Sequence, residues 1–268
     1  MKDIGVIGCG TIGKAICQAV ASGQTGGRLA AVADKTPEIA AAAMREAGID
    51  VPAYTVEELM DRCDLVVEAA SKAAAGPILD MALARGRDTM LLSAGALLDE
   101  YETLREKARA AGCVIYVPSG ALAGLDGVKG ALSGEISSVT LTTTKPPKGL
   151  QGIAYLEQRG IDVMALTEAA EVFSGTAREA VPLFPANINV AAALSMAGTG
   201  PDTTFVRIIA DPACTRNTHE VRVEGSFGVL TTRAENLPAA FNPKTSAMAA
   251  YSAIALLRSI TSSLRIGS

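Results

Sequence analysis

Short apolar segments alternate with helix-like segments over residues 1–120. The apolar runs predict strands over 4–7, 29–33, 65–70, 90–93 and 114–117. Between them, small and apolar residues at helical spacing predict helices over 11–22, 37–47, 56–62, 74–85 and 99–111. Since parallel strands are joined by helical crossovers, this order predicts an α/β domain with a doubly wound parallel sheet.

The pattern changes after residue 120. Val139, Leu141 and Thr143 alternate with threonines, which predicts a strand with one buried face. Further strands are predicted over 204–210, 219–224 and 229–233, helices over 177–184 and 187–197, and a loop over 145–148. This order is typical of an α+β second domain, with a mixed or antiparallel sheet and helices on one face.

The last predicted helix, 246–264, carries apolar residues at helical spacing, and we expect it to pack on the first domain. The expected domains are therefore 1–120 plus 243–268, a dinucleotide-binding unit, and 121–242, a unit for substrate binding, catalysis and oligomerisation.

The composition and net charge argue against several kinds of partner and site. The net charge of −4 argues against nucleic acid or an anionic membrane as a partner, and no apolar run is long enough for a membrane span. The five cysteines are scattered and there is one histidine, so no metal site is expected. The chain enters its first strand without a signal peptide, which together with the cysteine pattern predicts a cytoplasmic location.

A glycine loop follows the first strand, and the following helix starts within it. Gly8 allows a tight turn, Gly10 lets the backbone approach a pyrophosphate, and Gly13 lets the helix lie close to the strand. The backbone N–H groups of Thr11 and Ile12, at the helix start, point toward the phosphates. The arrangement predicts a Rossmann dinucleotide-binding domain.

An acidic residue ends the next strand. Asp34 lies at the distance from the loop where a carboxylate accepts hydrogen bonds from the ribose hydroxyls. Its charge favours NAD over NADP, although the neighbouring Lys35 could soften the repulsion of a 2′-phosphate and leaves NADP as an alternative.

His219 is the only histidine, and it lies on a predicted strand. Alternation places it on the same face as Val221 and Val223, which predicts an inward-pointing imidazole. One interpretation is a hydrogen-bonded core histidine. Because a redox enzyme needs an acid or base, we favour the second interpretation, a catalytic histidine.

The segment 118–126 combines a turn with small residues. Exposed backbone N–H groups at Ser119, Gly120 and Ala121 would suit a substrate carboxylate, whereas an interdomain hinge would also explain the small residues.

Other substrate candidates flank the later helices. Asn187 is either an N-cap or a substrate ligand, and Asn189 has less structural reason to be polar. Lys244, with Thr245 beside it, either pairs with a substrate carboxylate or is a solvated loop charge.

Seven segments of the chain together resemble the L-aspartate dehydrogenase family, over nearly the whole length. The resemblance rests on residues 8–13 (GCGTIG), 67–71 (VEAAS), 118–121 (PSGA), 173–178 (FSGTAR), 187–192 (NINVAA), 217–220 (NTHE) and 242–246 (NPKTS).

This resemblance implies NAD(P)-dependent oxidation of L-aspartate to iminosuccinate, which feeds NAD biosynthesis or hydrolyses to oxaloacetate and ammonia. It implies a catalytic His219 and cofactor contacts at Ala123 and Asn189, to which we add Ala70 and Ser71 from the 67–71 segment. It also implies a homodimer with a dihydrodipicolinate-reductase-like second domain.

Two alternatives stay open at this point. One is a related NAD(P)-dependent reductase or dehydrogenase of aspartate metabolism that acts on dihydrodipicolinate or homoserine. The other is a non-catalytic NAD(H)-sensing protein, which would bind the cofactor without turning over an amino acid.

Overall fold

The computed structural model describes residues 1–184, 189–239 and 242–267, with the backbone alone at 238–239 and 242–245. The chain forms two compact units, Met1–Pro118 with Ala249–Gly267, and Ser119–Met248. We call them unit 1 and unit 2. The chain therefore passes from one unit to the other twice.

Unit 1 is built on a five-stranded, all-parallel sheet in the order β2-β1-β3-β4-β5. Its strands are β1 (Asp3–Ile7), β2 (Arg28–Ala33), β3 (Leu65–Glu68), β4 (Asp88–Leu91) and β5 (Ile115–Tyr116). Its helices are α1 (Thr11–Ala21), α2 (Pro37–Glu46), α3 (Val56–Met60), α4 (Lys72–Ala84) and α5 (Tyr101–Ala111). The predicted doubly wound parallel sheet is confirmed.

Apolar side chains cover both faces of this sheet, as a parallel sheet requires. On one face, Ile4 and Val6 pack with residues of α1 and α2 and with Ala253 and Leu257 of the last helix. On the other face, Ile7 packs with residues of α3 and α4. Because both faces of the sheet are buried, its strands are nearly continuously apolar.

Two predicted strands end earlier than expected. The strand predicted over 65–70 ends at Glu68, and the one over 90–93 ends at Leu91. Beyond these ends the backbone N–H groups of Ala70 and Ser93 bond the Glu68 carboxylate and not a neighbouring strand. The buried Glu68 side chain therefore accepts hydrogen bonds that a neighbouring strand would accept if the strands continued.

Unit 2 contains a five-stranded mixed sheet in the order β10-β9-β6-β8-β7. Its strands are β6 (Ile136–Lys145), β7 (Ala170–Thr176), β8 (Thr204–Ala210), β9 (Asn217–Gly225) and β10 (Gly228–Asn236). The β6–β8 pair is parallel and the others are antiparallel. A second, two-stranded sheet pairs β11 (Pro238–Ala239) with β12 (Asn242–Ser246).

The helices of unit 2 are α6 (Leu125–Ala131), α7 (Ala154–Gln158), α8 (Ala177–Leu183) and α9 (Asn189–Ala197). The last helix, α10 (Ala247–Thr261), starts in unit 2 and continues into unit 1. None of the helices over the described residues combines the length and apolarity that a bilayer crossing requires.

Strand β7 was not predicted, and an irregularity in its pairing explains why. The register with β8 shifts between Glu171 and Phe173, and both Val172 and Phe173 are buried. Two consecutive inward side chains break the alternation by which a strand is recognised in a sequence.

Strand β6 follows its predicted alternation and extends it. Val139, Leu141 and Thr143 are buried, and the strand continues to Lys145, which the sequence had placed in a loop. Lys145 is therefore the next inward position of β6.

Candidate active site

The glycine loop joins β1 to α1 in unit 1. Gly8 has a φ of +97°, and a Cβ there would lie 2.5 Å from the Ala69 carbonyl oxygen. A Cβ on Gly13 would lie 1.8 Å from the Gly8 carbonyl oxygen. Both positions need glycine because the backbone itself passes too close for a side chain.

Gly10 differs from these two glycines. It lies in an extended conformation just before α1, and a Cβ there would meet no described atom within 4 Å. Over the described residues, no side chain caps the N-terminus of α1, where Thr11 and Ile12 lie. An open backbone at an uncapped helix start fits the pyrophosphate of a dinucleotide.

Asp34 is held against this loop. Its Oδ2 accepts a hydrogen bond from the Cys9 N–H at 2.7 Å, and its Oδ1 accepts one from the Lys35 N–H at 2.7 Å. These bonds orient the carboxylate at the end of β2 and leave lone pairs on both oxygens. The side chain is half-buried, as a ligand of ribose hydroxyls should be.

Cys9 does not contribute a reactive thiol. It is buried, and burial together with the charge of Asp34 raises the pKa of its thiol to about 11. The thiol is therefore protonated at neutral pH and a poor nucleophile.

Glu68 is a fully buried carboxylate at the end of β3. It accepts hydrogen bonds from the Ala70 N–H at 2.9 Å, from the Ser93 N–H at 3.0 Å and from the Ser93 hydroxyl at 2.9 Å. Burial raises its pKa, while these donors favour the ionised form and limit the rise. The carboxylate joins the two loops that follow β3 and β4.

Glu68 therefore positions a segment that the sequence assigned to the cofactor. Ala70 and Ser71 are exposed just beyond it, and Ser71 immediately precedes α4. The Gly8 turn passes close to the Ala69–Ala70 backbone. Sequence reasoning missed Glu68 as a functional candidate, although an acidic residue at the end of a buried LVVE strand was a usable signal.

In unit 2, the loop that contains Ser119 and Gly120 is anchored by its carbonyl groups. The Ala121 carbonyl accepts a bond from Asn236 Nδ2 at 3.1 Å, and the Ala123 carbonyl accepts one from the Thr232 hydroxyl at 2.9 Å. Ala123 itself is exposed. Its surface is therefore open to a ligand while its position is held.

Asn236 was also missed by the sequence reasoning. It is buried, and its Oδ1 accepts a hydrogen bond from the Ser246 hydroxyl at 3.1 Å, which in turn accepts one from the Met248 N–H. One amide side chain thus joins the 119–124 loop to the residues before α10. A single asparagine at a strand end carries no sequence signal for such a role.

His219 lies on the inner face of the unit 2 sheet, as predicted. It pairs in register with Thr143 of β6 and is 5% exposed. Its Nδ1 lies 3.0 Å from the Thr143 hydroxyl oxygen. Burial, with a smaller effect from the Lys145 charge, lowers the pKa of the imidazole to about 3, so the ring is neutral at physiological pH.

The structure does not describe every predicted residue. Asn187 lies outside the described residues, and the side chains of Lys244 and Thr245 are not described, although their backbone belongs to β12. Asn189 is the exposed first residue of α9. A Cβ on Gly120 would lie 3.9 Å from Val190, so the 119–124 loop passes near the start of this helix.

Comparison with known proteins covers both units. A family model described as "Aspartate dehydrogenase, C-terminal" matches residues 126–260, and one described as "Homoserine dehydrogenase, NAD binding domain" matches residues 8–118. An L-aspartate dehydrogenase of Methanosarcina mazei is 48% identical over 100% of both chains. L-aspartate dehydrogenase 3 of Bordetella bronchiseptica is 41% identical over 98% of this chain and 97% of its own.

Solved structures agree with these sequence matches. The crystal structure of aspartate dehydrogenase from Thermotoga maritima has a TM-score of 0.77 and 26% identity, with complete coverage of both chains. A scyllo-inositol dehydrogenase from Lactobacillus casei with bound NAD(H) has a TM-score of 0.55 at 16% identity, covering 100% of this chain and 91% of its own, and shares the fold alone.

Substitution by alanine should have different effects at Gly10, which has open space beside it, and at Gly13, which lies against backbone. Gly10→Ala should keep its melting temperature within about 2 °C but weaken binding of the dinucleotide about tenfold or more, because the new methyl fills the open space. Thermal unfolding and NADH fluorescence titration measure these effects. Gly76→Ala, also in open space in unit 1, is the control for cofactor binding and should leave the NADH affinity unchanged.

Gly13→Ala should instead fail to fold, because its Cβ collides with backbone. A Gly10→Ala protein with unchanged NADH affinity would contradict the placement of the pyrophosphate at this loop.

Replacing Glu68 tests the buried carboxylate. Glu68→Ala leaves the N–H groups of Ala70 and Ser93 without their acceptor, and we expect a loss of about 3 kcal/mol in the free energy of unfolding. Urea denaturation at pH 7 measures it. Glu106→Ala, an exposed acid on α5, should stay within about 0.5 kcal/mol of the unsubstituted protein. A Glu68→Ala loss as small as the control's would show that the loops do not depend on this carboxylate.

Proposed function

The chain belongs to the L-aspartate dehydrogenase family, and we propose that it oxidises L-aspartate to iminosuccinate with His219 as the base and NAD as the preferred cofactor. The observation that carries the assignment of the base is the buried, neutral imidazole of the chain's single histidine, hydrogen-bonded to Thr143. The bound nicotinamide supplies the hydride acceptor.

An ammonium group must lose a proton before its Cα can give up a hydride. The Thr143 hydroxyl can accept a hydrogen bond from Nδ1–H of His219, which leaves the lone pair of Nε2 free to take that proton. In that tautomer Thr143 orients the ring through Nδ1, and Nε2 is the atom that acts as the base. The proton passes from the substrate ammonium to Nε2 first, and the lone pair of the resulting amine then forms the C=N bond as the hydride leaves Cα.

Residues of unit 1 hold the cofactor. Gly8, Gly10 and Gly13 shape the turn, with Thr11 and Ile12 giving the helix start, and Asp34 receives the ribose hydroxyls. Two negative groups repel each other, so a 2′-phosphate beside Asp34 is disfavoured and NAD is preferred. Ala70 and Ser71 of unit 1 are further proposed cofactor contacts, and Ala123 and Asn189 are the candidates from unit 2.

Backbone N–H groups of Ser119, Gly120 and Ala121 receive a substrate carboxylate. The loop is suited to this because its carbonyls are engaged elsewhere in unit 2, which fixes its conformation. Asn187, Lys244 and Thr245 stay candidates from the sequence. The dihydrodipicolinate, homoserine and sensor alternatives are not favoured, since the relatives that match the whole chain are L-aspartate dehydrogenases.

The protein acts as a homodimer in the cytoplasm, where its product feeds NAD biosynthesis or hydrolyses to oxaloacetate and ammonia. Exposed Phe205, Phe227 and Val229 on and beside the unit 2 sheet support an association surface there. Size-exclusion chromatography with light scattering tests the dimer. A monomer at micromolar concentration would contradict it.

Turnover tests the function directly. The purified protein should reduce NAD with L-aspartate, and not with homoserine, followed by the absorbance of the reduced nicotinamide. His219→Gln should lower kcat about 100-fold or more, the scale of a lost general base. Thr142→Val, on the opposite face of β6 from Thr143, is the matched control and should keep kcat within about twofold. Full kcat in the His219→Gln protein would remove His219 from the mechanism.

Cofactor preference has its own test. Asp34→Ser should shift the ratio of kcat/KM for NADP over NAD upward about tenfold or more, since the carboxylate charge is gone. Steady-state kinetics with both cofactors measures the ratio. Asp50→Ser, an exposed acid of the same unit, should leave the ratio unchanged. An unaltered ratio in the Asp34→Ser protein would show that this carboxylate does not select the cofactor.

A further inference from the structure

The strand order of unit 1 indicates where the two halves of a dinucleotide lie on its sheet. β2 lies on one side of β1 and β3 on the other, so the order of the strands reverses between β1 and β3. In sheets of this kind a dinucleotide lies beyond the carboxyl ends of the strands at such a switch point. Because Asp34, the proposed ligand of the adenosine ribose, ends β2, we expect the nicotinamide half on the side of β3 and β4.

The loops that follow β3 and β4 are joined by one side chain, the Glu68 carboxylate. Its Oε1 accepts hydrogen bonds from the Ala70 N–H at 2.9 Å and from the Ser93 hydroxyl at 2.9 Å. Its Oε2 accepts a third from the Ser93 N–H at 3.0 Å. Ala70 lies two residues from Glu68 along the chain, whereas Ser93 lies 25 residues away. One buried group therefore fixes the loops of two neighbouring strands relative to each other.

The loop after β3 also contacts the glycine turn. A Cβ on Gly8 would lie 2.5 Å from the Ala69 carbonyl oxygen. The Ala69 N–H donates to the Ile7 carbonyl at 2.8 Å, which continues the pairing of β3 with β1 up to this turn. The 69–71 segment is therefore held between the glycine turn and Glu68.

The residues around Glu68 differ from it in exposure. Glu68 is fully buried, Ser93 is half-buried, and Ala70 and Ser71 are exposed. A ligand at this edge of the sheet therefore meets the loops, while the carboxylate lies beneath them. We infer that Glu68 is a positioning residue for the nicotinamide half of the cofactor, a role that rests on the proposed placement of the dinucleotide.

Loss of this support should act on affinity through the conformation of the loops. A ligand that binds one arrangement of a loop loses affinity in proportion to the fraction of molecules in that arrangement. Hydrogen bonds to charged groups are among the stronger ones in proteins, so we expect loss of one to lower this fraction about tenfold.

Glu68→Gln keeps the size of the side chain and removes one acceptor. An amide accepts hydrogen bonds only at its oxygen, so its NH₂ group must face either the Ala70 N–H or the Ser93 N–H. The Kd for NADH should rise about tenfold, whereas the Kd for ADP, which lacks the nicotinamide half, should stay within about twofold. Isothermal titration calorimetry measures the binding of both ligands.

Thr89→Val is the matched control, because it removes a buried hydrogen bond from the same part of unit 1. Thr89 is fully buried near the start of β4, and its hydroxyl donates to the Arg87 carbonyl at 3.3 Å. Any loss of stability in Thr89→Val should leave both dissociation constants within about twofold of those of the unsubstituted protein. If Glu68 served stability alone, Glu68→Gln would behave like this control.

Ser93→Ala is a second, milder variant that keeps the carboxylate. It removes the hydroxyl donor and retains both backbone hydrogen bonds, so the Kd for NADH should rise about threefold and the Kd for ADP should not change. The effects of Glu68→Gln and Ser93→Ala should not add in the double variant, since the hydroxyl acts through the carboxylate.

Two results would overturn the inference. One is an equal loss of NADH and ADP affinity in Glu68→Gln, which would indicate general damage to unit 1. The other is an NADH affinity that neither Glu68→Gln nor Ser93→Ala changes, and Ser93→Ala decides alone if Glu68→Gln does not fold. An unsubstituted protein that binds no NADH would instead count against the proposed function.

Discussion

Burying a charged side chain costs free energy, and each unit of this protein contains such a side chain. Over the side chains that the structure describes, one acid and one cation are buried, Glu68 in unit 1 and Lys145 in unit 2. Each lies at or near the end of a central strand, next to residues that the sequence assigns to chemistry. Because an isolated buried charge is strongly disfavoured, the surroundings of each must supply hydrogen bonds or receive a counter-charge.

The hydrogen bonds of Glu68 show what one of these charges does. Three donors from Ala70 and Ser93 surround Glu68, so its carboxylate is a structural element that holds two loops in place. The positive charge of Lys145 lowers the pKa of the His219 imidazole, in addition to the effect of burial.

Much of the architecture could be predicted because it depends on local patterns. The parallel sheet of unit 1 follows from short apolar runs alternating with helices, and the glycine loop follows from the spacing of three glycines, of which Gly8 and Gly13 are required by close backbone contacts. The inward orientation of His219 follows from strand alternation. Strand β7 escaped prediction because a register shift buries two consecutive residues. The parallel pairing of β6 with β8 depends on contacts between residues that are far apart in the sequence. The hydrophobic periodicity of a strand does not indicate which other strand it pairs with.

Local patterns in the chain specify which chemical groups are available: a dinucleotide loop, an acid at the end of β2 and a single histidine on a buried face. Which other polar groups lie against these segments became visible only in the folded chain. Glu68 and Asn236 act through bonds to residues 25 and 115 positions away, and Lys145 acts across a strand pair. The physical reason is that a hydrogen bond or a charge interaction depends on distance in space, and burial, which gives each its strength, exists only in the folded chain.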